Sequence, residues 1–149
     1  MTPPAVEAGE RGRRPGLIVV THGGLAFELV RALERIVGPG APRARALSIG
    51  WDEDLQQARK AVDEAIQDND GGAGVLILTD MFGGTATNLV LSCMRPGVEI
   101  VTGANLPMLI KFSNLPADLS VKEVAAAVRE QGQKAIALAT GYLDPRAGA

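Results

Sequence analysis

The chain has 149 residues, 46% of them hydrophobic and 21% charged, with a formal net charge of -2. That balance suits one globular domain with its own core, and it offers no basic groove for nucleic acid. A single cysteine, Cys93, and a single histidine, His22, exclude an internal disulfide and a common Cys/His zinc site, and point to the cytoplasm.

The N-terminal residues 1–15 are rich in Pro, Gly and Arg and carry no apolar stretch, so they read as a flexible tail rather than a signal or membrane anchor. Arg11, Arg13 and Arg14 are expected to be solvated there. Residues 16–141 read as one domain and 142–149 as a C-terminal tail. "GLIVVT" (16–21) predicts a buried strand, followed by a helix over 25–37 with Leu25, Leu29, Leu33 and Ile36 on one face, stopped by Gly38 and Pro39. "RARALSI" (43–49) is a less apolar strand, expected near an edge. The stretch 52–68 predicts a helix with acids in its first turn and Leu55, Ala58, Val62, Ala65 and Ile66 facing inward. "GVLILT" (74–79), apolar on both faces, predicts a central strand. A helix from about Thr85 to Met94, a strand over 98–103, helices over "NLPMLIKF" and "SVKEVAAAVREQ", and a last strand over 134–140 follow. This alternation predicts an α/β fold: an open, mainly parallel sheet of order 2-1-3-4 with helices on both faces and the last strand at the edge.

Such sheets bind ligands beyond the carboxyl ends of their strands, where the winding direction reverses. In this order that place lies between the first and third strands, which exit into Thr21-His22-Gly23-Gly24 and Thr79-Asp80-Met81-Phe82-Gly83-Gly84-Thr85. His22 and Asp80 are therefore expected to face each other. A carboxylate that accepts a proton from one ring nitrogen fixes the tautomer and leaves the other nitrogen with a free lone pair, an oriented nucleophile or base. Gly83, Gly84 and the Thr85 hydroxyl, at the start of a helix, are suited to an anion such as phosphate.

Each residue also has a plainer reading. A lone histidine at a strand end is more often a satisfied polar group, Asp80 a turn residue or cap, and Gly83-Gly84 a tight turn. Trp51, Asp52, Glu53 and Asp54 could line an opening, but a helix start explains them more simply. Cys93 and Met94 read as core. Other chemistries on this scaffold lack their residues: there is no acidic pair after the first strand for a receiver's magnesium, no hydroxyl-rich loop for a flavin phosphate, and neither G-x-S-x-G nor a Walker loop.

"VVTHGGLA", "VLILTDMFGGTATN" and "VTGANLPML", in this order and spacing, resemble the IIA domain of the mannose/fructose/sorbose class of the bacterial phosphoenolpyruvate-dependent sugar phosphotransferase system, over about residues 16–140. The resemblance implies a phosphotransferase in which His22 accepts a phosphoryl group from the histidine-containing phosphocarrier protein and passes it to a separate IIB component. It further implies that Asp80 orients His22, that Gly83, Gly84 and Thr85 surround the phosphate, and that the last strand of a homodimer crosses to the partner's sheet. No cofactor, metal or membrane insertion is implied. The family usually has Gly-Gly-Ser-Pro where this chain has Gly83-Gly84-Thr85-Ala86, so the hydroxyl survives but the fixed proline dihedral does not, and a slightly looser pocket is expected. The alternative is a regulatory protein that signals through its histidine phosphorylation state without sugar transport.

Overall fold

A computed structural model describes residues 13–51, 54–81, 83–143 and 146. The elements, in chain order, are β1 (Gly16–His22), α1 (Leu25–Val37), β2 (Ala44–Ile49), α2 (Leu55–Asn69), β3 (Val75–Thr79), α3 (Gly84–Leu91), β4 (Val98–Val101), α4 (Leu106–Asn114), α5 (Val121–Lys134) and α6 (Ala139–Leu143). The sheet is parallel with order β2-β1-β3-β4, so the less apolar β2 is an edge and the apolar β1 and β3 are central. Its alternation divides the core. Leu17, Val19, Leu76 and Leu78 pack among α1, α4 and α5, whereas Ile18, Val20, Val75 and Ile77 pack against α2 and α3.

The helices start where local chemistry satisfies their first N–H groups. Asp54 caps α2 by accepting from Gln56 N, Asn105 caps α4 by accepting from Met108 N, and Ser120 with Glu123 forms a capping box on α5. Asp54 is thus a cap and not a first-turn acid; Asp52 and Glu53 lie outside the described residues. The buried stripe of α1 is Ala26, Val30 and Leu33, joined by the partly buried Leu29 and Val37. Leu25 and Ile36, expected inward, are exposed, because each lies one position off that stripe and is rotated about 100° from it. Leu55 is exposed for a related reason: it is the first residue of α2, and the inward face begins with Ala58. After Leu91 the chain tightens into i→i+3 turns, Cys93 N to Val90 O and Met94 N to Leu91 O, which leaves Cys93 buried and Met94 half exposed rather than in the core.

Two expectations for the ends of the chain need correction. Arg13 and Arg14 are not free in solvent: Arg13 donates to Gly71 O, and Arg14 donates to Phe112 O, Ser113 O and Leu115 O at 2.9, 3.1 and 3.0 Å while lying over the Phe112 ring. The carbonyls at the end of α4 are the negative end of its dipole, and Arg14 neutralises them. Arg11 lies outside the described residues. We predict that Arg14→Met, which keeps most of the apolar stem, lowers unfolding free energy by about 1–3 kcal/mol in a urea titration; an unchanged midpoint and slope would refute this capping role.

Residues 134–140 are not a strand in the single chain. α5 runs to Lys134, 136–138 have no regular structure, and α6 begins at Ala139. A strand needs a neighbour, and this segment pairs with no edge of its own sheet.

Candidate functional site

The site is built on the carboxyl ends of β1 and β3. Parallel pairing of Val20 with Thr79 brings the exits of the two strands side by side, so His22 and Asp80, 58 positions apart, meet. Asp80 Oδ2 accepts twice from one residue: from the His22 backbone N–H at 3.1 Å and from ring Nδ1 at 2.9 Å. Its other oxygen, Oδ1, accepts from Met81 N. An ionised carboxylate has no proton to give, so Nδ1 carries the hydrogen and Nε2 holds the lone pair. Burial pushes the Asp80 carboxyl upward, but the hydrogen bonds and charge of His22 outweigh it, and the group lies below its ordinary value.

Neighbouring threonines hold the two exits in place, a function that sequence patterning does not assign. Thr21, fully buried, accepts from Ala26 N at 2.7 Å and donates to His22 O. Gly24, the N-cap of α1, has no side chain to do this. On the β3 side the Thr87 hydroxyl donates to Met81 O, tying α3 to the residue after Asp80. The stretch "VTGANLPML" gains a physical reason as well: Ala104 N donates to Thr79 O at 2.8 Å, so the turn after β4 braces the backbone directly before Asp80.

In sequence and in fold the chain is similar to known proteins. The family model for the fructose IIA component of the phosphotransferase system (PTS) matches residues 16–129. The chain belongs to this family. A fructose-specific EIIA component of the PTS from Bacillus subtilis (strain 168) is 26% identical over 94 residues, a stretch that is 62% of this chain and 64% of that relative's length. The mannose/sorbose-specific IIA subunit from Enterococcus faecalis is 30% identical, with a TM-score of 0.75 over 84% of this chain and 94% of that one. A PTS IIA protein associated with the fucose utilization operon of Streptococcus pneumoniae shares the fold, with a TM-score of 0.74 over 89% and 98% of the two chains at 24% identity.

In this IIA component of the mannose/fructose class, Gly83 and Gly84 occupy positive φ, 87° and 81°, and an added Cβ would meet no atom within 4 Å at either. Backbone conformation, not crowding within the chain, therefore calls for glycine at both. They form the cap and first residue of α3, whose N-terminus opens at the same end of the sheet as His22. Thr85 is the second residue of that helix, and its side chain lies outside what the structure describes. Trp51 is the residue that spacing alone misassigns: two positions beyond Ile49, which pairs in register with His22, its indole stacks on the imidazole with ring centroids 5.4 Å apart and planes 27° apart. The signal in the sequence is the only tryptophan of the chain standing at a strand exit. A groove of about 680 Å³ lies elsewhere, beside β4 and α5. No helix among the described residues is long and apolar enough to cross a membrane.

Proposed function

We propose that this IIA component relays phosphoryl groups in the cytoplasm through His22, accepting from the histidine-containing phosphocarrier protein and delivering to a IIB component. The observation that carries this reading is the single carboxylate oxygen of Asp80 holding both the backbone and Nδ1 of His22. Nε2 attacks the phosphorus of the donor's phosphohistidine; the donor P–N bond breaks and its electron pair returns to the donor ring. His22 keeps the proton on Nδ1, so its phosphorylated ring carries a positive charge that faces the Asp80 carboxylate. Delivery to the IIB component reverses these changes. Gly83, Gly84 and the N–H groups at the start of α3, with the Thr85 hydroxyl, receive the phosphoryl oxygens, an anion at the positive end of a helix. Each such contact contributes about 0.3–1 kcal/mol, enough to hold the group without trapping it. The test is incubation with phosphoenolpyruvate, the first enzyme of the system and its carrier, followed by detection of acid-labile, base-stable phosphate. No label on the wild-type chain would overturn the reading.

The same reading includes a homodimer. β4 is an edge strand, with the groove lined by Ile100, Val101, Met108, Ala125 and Ile136 beside it. Beyond α5, Ile136 and Leu138 alternate with Ala135, Ala137 and Ala139 and are 80% and 78% exposed, a short two-residue alternation that suits a strand laid on another sheet. The crossing of this segment to the partner's β4 covers both liabilities together. Leu138→Asp is expected to convert a dimer into a folded monomer in sedimentation velocity, and a dimer persisting in that variant would count against the exchange.

A further inference from the structure

Asp80 fixes one atom of the His22 ring, but a single hydrogen bond leaves a plane free to rock about the line joining Nδ1 to Oδ2. The group that stands against that plane is Trp51. Its indole lies against the imidazole face at 5.4 Å and 27°, while 80% of the tryptophan surface remains open to solvent. The His22 side chain is itself only 24% exposed. A large apolar side chain held so far into water is not part of the core, and the ring it stacks on is the histidine.

We propose that Trp51 is a positioning residue of the phosphoryl acceptor, which aims Nε2 and stabilises the phosphorylated ring through its π-face. This rests on His22 being the acceptor. In its nucleophilic form the ring is neutral, and the stack contributes dispersion and alignment. After transfer Nε2 bears the phosphoryl group, Nδ1 retains its proton, and the ring is cationic; the donor's ring has regained its electron pair, so charge and atoms balance. A cation over an indole face is attracted by the ring quadrupole, which a neutral imidazole is not. Trp51 therefore favours the phosphorylated state over the free one, in concert with the Asp80 carboxylate on the ring's edge. Because Trp51 is the sole tryptophan, its emission reports the charge on His22.

The deciding measurement is the transfer equilibrium between phosphorylated carrier and this chain, read from the distribution of ³²P after equilibration. Docking contacts between the two proteins alter the rate of approach to that equilibrium but not the equilibrium between the separated species. Trp51→Leu is expected to shift it about two- to fivefold toward the carrier, with Trp51→Phe retaining most of the wild-type value. In parallel, wild-type tryptophan emission should change on phosphorylation, and His22→Ala should show no change under the same mixture. An unchanged equilibrium in Trp51→Leu overturns the proposal, including the case where only the rate falls, which makes Trp51 a docking plate for the carrier. Absence of label on the wild type overturns the acceptor reading and this proposal with it. Label present with the equilibrium unmoved removes only the role of Trp51. As residue 51 is exposed, both variants should melt with the wild type, and the phenylalanine variant guards against a general disturbance of the loop.

Discussion

His22→Ala is expected to take up no phosphate from the phosphorylated carrier, while its circular dichroism and melting temperature stay close to those of the wild type. The separation of the two effects follows from the geometry. Transfer needs the Nε2 lone pair, and no other histidine exists in the chain to supply one. The fold, in contrast, depends at this point on the backbone N–H of residue 22 donating to Asp80 Oδ2, and that bond does not involve the ring. The strand β1 on which His22 stands is paired on both sides and has a fully buried interior, so removal of one partly exposed side chain at its end leaves the fold intact and costs only the ring's bond to Asp80. His22→Gln, which restores bulk and a polar tip without a nucleophilic nitrogen, should be equally inert. Undiminished labelling of either variant would place the phosphoryl group on another residue.

Asp80→Asn should leave the chain folded and reduce the transfer rate by about two orders of magnitude, within the range general-base and orientation effects supply. The amide oxygen can still accept from His22, but the charge that stabilises the cationic phosphorylated ring is gone, and its NH2 group cannot accept from Met81 N as Oδ1 does. Rapid-quench kinetics with the phosphorylated carrier check this, and rates equal to wild type would show that Asp80 does not orient the ring. The same substitution has a pH signature. The folded-state pKa of Asp80 is lowered, so its contribution to stability is complete above the unfolded value and is lost as pH falls through the lower folded value. Acid denaturation of the wild type, as pH falls below the ordinary aspartate range, should therefore be steeper than that of Asp80→Asn. Identical slopes throughout would mean that the carboxylate gains nothing from His22 on folding.

These two residues are legible as a pair in the amino-acid sequence because the sheet order is a property of patterning. β1 and β3 are continuous apolar runs, β2 is interrupted by Arg45 and Ser48, and the helical stretches between them are long enough for parallel crossovers. Once the order is 2-1-3-4, the exits of the first and third strands are neighbours by construction. Helix faces are less legible at their ends. Leu25, Ile36 and Leu55 fit an apolar period in the sequence, yet they are exposed, because Leu25 and Ile36 fall beside the buried stripe of α1 and Leu55 precedes the inward face of α2.

Local signals, strand hydrophobicity and glycine-rich exits, thus suffice for the set of elements, their order in a parallel sheet, and the placing of His22 opposite Asp80. Contacts between segments distant along the chain emerge only from the packed fold. Arg14 closes the end of α4 about a hundred residues away, Ala104 braces Thr79, and Trp51 comes to lie on the imidazole. None of these leaves a periodic trace, because each depends on the angle at which a loop leaves its strand. The segment after α5 shows the same limit from the other side: its two-residue period is written in the sequence, but a strand forms only against an available edge, and within one chain that edge is not its own.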